Sequence, residues 1–366
     1  MLPNPFEKPL PKLEETDPLK NEEIVRSLLG EKGVERYRKI LNRTKVSSGP
    51  DAVSVEELKA LAAELNAQRL ASKKETTEWQ VEQIISKDYE RQMVSLRAIK
   101  FLKRKDGILG LKAVDGEFYP APSEKEIVRY FISIPNIKEK IYQGFTRLLI
   151  VPFGRSLAFL NKKTSDLILE HGEGGRLLSE SGEKLSFDLS GPVYNQFNNA
   201  LSRYYSGSFA VPGTGGKLKT DFLSGPQDGM PFPGYNIILL QEDLHIPKEG
   251  EGVTRNGRKQ IEAGKSAIEY LELLQTDPQY AGERGLAPED WLTLFATQLY
   301  QTNTVIHETS AAMPPTGTAA LLIGSDYSHN GDVSFAHWTD RLGMAAIMLM
   351  KSHHSGEGVG LITAVG

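Results

Sequence analysis

The chain has 366 residues, with 43 Lys and Arg against 47 Asp and Glu, a net charge of −4, and 39% hydrophobic and 25% charged side chains. That length excludes a single small module, the balanced charge excludes a whole-molecule positive field for nucleic acid or an anionic bilayer, and the composition excludes wholesale disorder. With no cysteine, disulfide frameworks, Cys-ligated zinc, iron–sulfur clusters and thiol nucleophiles are excluded together.

Residues 1–20 carry Pro3, Pro5, Pro9, Pro11 and Pro18 and read as an extended arm. The first residues have neither a basic nor an apolar leader segment, and no apolar run approaches the roughly 18 to 20 residues that span a bilayer. A cytoplasmic protein without membrane insertion is expected, with surface display by another route left open. A helical region over 21–107 follows. Ser54 and Glu57 form a capping box before Leu58, Leu61 and Leu65, and Ile85, Tyr89, Met93 and Leu96 make a helical stripe in a segment expected to end near Gly107. Its basic end, Lys100-Phe101-Leu102-Lys103-Arg104-Lys105, reads as a solvated helix C-terminus rather than a phosphate contact.

A mixed α+β region is expected over 108–186. Ile108 to Val114 and Glu117 to Tyr119 read as a hairpin around Asp115-Gly116, Ser123 and Glu126 cap a helix, Phe145 to Phe153 read as a buried strand, and a helix carrying Leu157, Leu160, Thr164 and Leu167 stops at Gly172. Residues 187–234, rich in Gly, Ser, Asn, Tyr and Pro, read as an irregular connection and a domain boundary. The final domain, 235–366, opens with a strand at Tyr235 to Leu240. Helices follow over Ala267 to Gln275 and Pro288 to His307, expected to pack as a pair, then short strands separated by glycine turns.

Candidate sites are few. Gly257 to Ser266 ends like a phosphate-binding loop, but Lys259 stands where the motif needs its first glycine, and a capped helix start explains the same residues. His329, His337, His353 and His354 crowd the C-terminal region without metal-ligand spacing. Trp338-Thr339-Asp340 is similar to the Trp-Asn-Asp element of calcium-dependent lectins, but the chain has no Glu-Pro-Asn partner for it. No Gly-x-Ser-x-Gly elbow or dinucleotide fingerprint occurs.

Ile246 to Gly252, Glu269 to Asp277, Pro288 to Thr293, and Ala336-His337-Trp338 through Gly356-Glu357-Gly358-Val359-Gly360 together resemble the variable proteins of diversity-generating retroelements, of the type found in candidate-phyla bacteria. The resemblance covers the last third of the chain and the remainder only loosely. It implies an α+β protein ending in a C-type-lectin-like domain of the formylglycine-generating-enzyme type, which binds a protein or other macromolecule rather than catalysing a reaction. It implies no cofactor and no nucleic-acid partner, and leaves the oligomeric state open. The framework it implies is Gly324, Gly331, Trp338, Gly358, Val359 and Gly360. The diversified face would lie among Asp332, Phe335, His337, Thr339, Asp340, Arg341, Leu342, Ala346, Met348, Met350 and Lys351. The sequence departs from that pattern in the apolar run Ala345 to Met350, which reads equally as buried on both faces, and at Leu361 and Ile362, where the family usually carries an Arg. A metal-dependent oxidoreductase or hydrolase of the same fold, using the C-terminal histidines, is the alternative, and an assembly protein built on the N-terminal arm and helices a third.

Overall fold

The computed structural model describes residues 35, 38, 55–196, 202–204, 218–223, 231–309, 317–327 and 332–366, with side chains described outside 55–76, 202–204 and 326–327. The 1–20 arm, Ser54 of the first capping box, His329 and Gly331 lie outside these residues, as does much of 187–234. The chain divides into two compact units, 1–80 and 81–366. In the first, Glu35, Arg38 and the start of helix α1 (Val55–Ala98) are helical.

The second unit contains the rest of α1, and the fold is α+β. Ile85, Met93 and Leu96 are buried along one stripe of α1, as their spacing predicts. The helix ends at Ala98 and not near Gly107, because Lys100 takes a left-handed conformation at φ 64°. Its basic tail is then an exposed edge strand, β1 (Lys103–Lys105), turned into β2 (Ile108–Lys112) at Asp106 and Gly107, both with positive φ. The hairpin expected around Asp115-Gly116 forms between β2 and β3 (Phe118–Pro120).

Helix α2 (Glu124–Ser133) starts at the Ser123/Glu126 capping box, and α3 (Ile137–Tyr142) leads into β4 (Phe145–Val151), whose core is fully buried. Helix α4 (Leu157–Glu173) runs past Gly172 to a cap at Gly174. Gly172 has a different role: a Cβ there would stand 2.3 Å from the Phe187 ring. Strands β5 (Val193–Asn195) and β6 (Ser202–Tyr204) and helix α5 (Lys219–Leu223) lie inside the stretch read as an irregular connection.

That stretch does not separate two bodies. Beyond it, β7 (Asn236–Gln241) pairs antiparallel with β4 from Phe145↔Gln241 to Val151↔Asn236, so the segments before and after it share one sheet. The small hairpin β8 (Thr254–Arg255) and β9 (Arg258–Lys259) precedes α6 (Ala267–Thr276), which begins at a Ser266/Glu269 capping box. After β10 (Arg284–Gly285), α7 (Pro288–Thr302) is stopped at Asn303 in a left-handed conformation, short of the expected His307. Helices α6 and α7 belong to separate hydrophobic clusters: α6 joins the smaller one, while α7 packs on α4 and β4 in the main core. They are not the packed pair that their succession in the chain predicts.

The chain closes with β11 (Glu308–Thr309), the long meander β12 (Ala319–Tyr327), β13 (Asp332–Thr339) and β14 (Met344–Lys351), then β15 (Val359–Leu361) and β16 (Thr363–Val365). Strands β10-β16-β7-β4 make one sheet, which ties the last strand to the first strand of the 235–366 segment. Strands β15-β12-β13-β14-β5 run in order through the other, with β11 and β6 added at its sides. Among the described residues no helix is long and apolar enough to cross a membrane.

Candidate functional site

The register of β13 against β14 fixes which side chains share a surface. Phe335 pairs with Met348, His337 with Ala346 and Thr339 with Met344, and Ala346 in turn pairs with Tyr194 of β5. Side chains alternate along a strand, so Val333, Phe335, His337, Thr339, Met344, Ala346, Met348, Met350 and Tyr194 project from one face, of which Val333, opposite Met350, is fully buried. The opposite face sends Ala336, Trp338, Ala345 and Ile347 into the main core, all fully buried.

The shared face is apolar and partly open. Tyr194 is 47% exposed and Met348 37%, while Phe335, His337, Thr339 and Met344 are half-buried. Phe335 and Met350 lean on the smaller cluster, beside Val333, Leu321 and the α6 side chains Tyr270 and Leu271. The Phe335 and His337 rings stack at 5.7 Å with planes 12° apart. Burial pushes the His337 imidazole down to about 4, so it is neutral at physiological pH, and its Nδ1 has no hydrogen-bond partner. The surface therefore offers an aromatic plane, adaptable thioethers and one neutral imidazole, a mixture suited to apolar contact.

Several positions named from the sequence stand elsewhere. Ala346 lies on this face but is only 3% exposed, because the larger neighbours around it close over a single methyl group. Asp332 and Lys351 have the other strand parity and bond to each other, Nζ to Oδ1 at 2.7 Å. Asp340, Arg341 and Leu342 form the β13–β14 turn, where Leu342 is 56% exposed and Gly343 takes φ 62°. Burial, the charge of Glu308 and a hydrogen bond with it raise the Asp340 carboxyl to about 6.

The named framework positions are close-packed. Trp338 is fully buried and stacks on Phe295 of α7. A Cβ on Gly324 would press on the Leu286–Ala287 backbone at 2.8 Å, and one on Gly360 would meet the Ile246 side chain at 2.3 Å. Val359 packs against the smaller cluster, and Gly358 turns at φ 80°.

The phosphate-loop lookalike resolves into the capped start of α6, as its missing glycine predicts. His353 and His354 stand edge to face at 4.5 Å on the surface. Among the described residues no group of His, Asp and Glu stands together so as to hold a metal ion.

No protein-family model, curated protein or solved structure matches this chain.

Sequence reasoning missed Tyr194, which sits in the stretch set aside as a connection and reaches the face only through a long-range parallel pairing. It also missed the buried knot in which Glu283 bonds Arg258, Lys140 and Thr363. No local signal marks either, since both are made by residues far apart in the chain.

Proposed function

We propose that this is a ligand-binding protein that presents interchangeable side chains from the outer face of β13 and β14, as the variable proteins of diversity-generating retroelements do. One observation carries the reading: Phe335, His337, Thr339, Met348 and Met350 emerge on one partly open face, while Ala336, Trp338, Ala345 and Ile347 on the other build the core. Residues that alternate in this way can be exchanged on one side without disturbing the other. Pairing of β7 with β16 supports the same reading, because the 235–366 segment returns to its own beginning and holds the meander on a frame. The partner is a macromolecule with an apolar patch, and the C-type-lectin-like assignment of this segment belongs to the same proposal. The metal-dependent alternative has no supporting ligand cluster among the described residues.

The test is twofold. The DNA around the gene should hold a near-copy of the codons for 325–360, differing at template adenines, beside a reverse transcriptase gene; its absence from the complete genome contradicts the retroelement assignment. A library randomised at Phe335, His337, Thr339, Met348 and Met350 should yield binders to unrelated proteins. A library that stays folded yet yields none contradicts the binding role.

A further inference from the structure

A cleft of about 300 Å³ opens where the chain leaves β7, between the end of α7 and the segment around Glu180. Its volume is at the lower end of the range for small-molecule sites, and its wall carries charges of both signs. Arg147, half-buried on β4, donates from Nη2 to the Gln298 side-chain oxygen at 2.6 Å. Gln298 is itself held by the hydroxyls of Thr302 and Thr304 at 3.1 and 3.4 Å. The guanidinium is thus fixed in place, yet its buried Nε has no hydrogen-bond partner, and among the described residues no carboxylate pairs with it. A guanidinium with no ion-pair partner leaves its charge to be answered by an anion that enters the cleft.

Carboxylates line the same cleft. Glu180, Glu242 and Asp243 all contribute to it. Asp243 uses one oxygen to accept the His245 backbone N–H at 2.9 Å. Beside them His307 is fully buried, neutral, and held at φ 54° with its Nδ1 accepting from the Trp291 indole at 2.8 Å. A left-handed backbone at a non-glycine residue is a strained state that the surroundings must enforce.

We propose that this cleft binds a free α-amino acid, with the ligand carboxylate on Arg147 and its ammonium toward the Glu242–Asp243 rim. A phosphate or simple acid would satisfy Arg147 but face the neighbouring carboxylates, and a simple amine would leave Arg147 unpaired. Only a ligand with both groups answers both signs. This site is separate from the β13–β14 face and does not depend on its reading.

Calorimetric titration of the full chain with each of the twenty amino acids is the test. At least one should bind with a Kd below about 1 mM, and blocking its amino group by acetylation or its carboxyl as the amide should weaken it by at least about tenfold. Arg147→Gln should weaken binding by a similar factor, while Ile108→Ser, at an exposed position on β2, should leave it unchanged. Binding of no amino acid, equal binding of a blocked derivative, or unchanged binding by Arg147→Gln overturns the proposal. Should Arg147→Gln fail to fold by circular dichroism, Asp243→Asn decides in its place: weaker binding supports the site and unchanged binding overturns it.

Discussion

Trp338 and Phe295 stack with ring centroids 6.2 Å apart and planes 13° apart, joining β13 to α7 at the centre of the main core. Every other side chain of β13 points into this core, which leaves His337 and Thr339 on the partly open face, while Val333 and Phe335 on that face pack on the smaller cluster. Trp338→Ala should therefore cost about 3 to 5 kcal/mol, as large-to-small core changes do. Met348→Ser and Leu342→Ser, at exposed positions, should stay within about 0.5 kcal/mol. Urea unfolding of the three variants checks the contrast.

Glu283 is the hub of a buried ionic knot. Its side chain has no exposure, and it meets Lys140 at 2.7 Å and both Nε and Nη2 of Arg258 at 2.7 Å, while the Arg258 guanidinium lies over the Phe145 and Tyr280 rings. Glu283→Gln leaves two buried cations without their carboxylate and should destabilise by about 3 to 5 kcal/mol. Replacing Lys140, Arg258 and Glu283 together by Met, Met and Leu should recover much of that loss, since the charges themselves then no longer need burial. Thermal unfolding of the single and triple variants measures both.

Histidines whose imidazoles burial lowers, His171, His307 and His337, set an acid limit to stability. Burial lowers His307 and His337 to about 4, so between about 6.5 and 4 the unfolded chain binds more protons than the folded one and stability falls as pH falls. Asp340 acts in the opposite direction: raised to about 6, it holds a proton in the folded state that the unfolded state has lost, and stability falls as pH rises from about 4 to 6. His337→Gln should flatten the acid-side loss, and Asp340→Asn should steepen it. Stability measured from pH 4 to 8 for each variant tests the signs.

Gly324 and Gly360 allow close approach of chain segments. Gly324→Ala presses on the Leu286–Ala287 backbone and Gly360→Ala on Ile246 and the Ala263 backbone. Each should cost about 1 to 3 kcal/mol by overpacking. Gly116→Ala, in an open turn with nothing within 4 Å, should act through its φ of 91° alone and cost less. Differential scanning calorimetry ranks the three.

Much of the local structure was legible because it is written in local chemistry. The Ser123/Glu126 and Ser266/Glu269 capping boxes, the Asp115-Gly116 turn and Pro288 at the start of α7 all fall where their residues predict. Helix ends were less legible, since Lys100 and Asn303 stop their helices by adopting left-handed conformations that neither residue advertises as glycine does. Long-range pairing was not legible at all: nothing near Val193 announces that β5 lies beside β14, or near Phe145 that β4 lies beside β7. Within the candidate face, strand parity alone separates Phe335, His337 and Thr339 from Asp332. That alternation was present in the sequence, but the register with β14 was needed to place Met348 with the first group and Lys351 with the second.

The central claim is an alternation, and a substitution scan of residues 332–351 with protease resistance as the readout tests it most directly. Tolerance should rise and fall with every second residue, high at Phe335, His337 and Thr339 on β13 and at Met344, Met348 and Met350 on β14, and low at Ser334, Ala336, Trp338, Ala345 and Ile347. A scan in which the first set unfolds the protein as readily as the second contradicts the account.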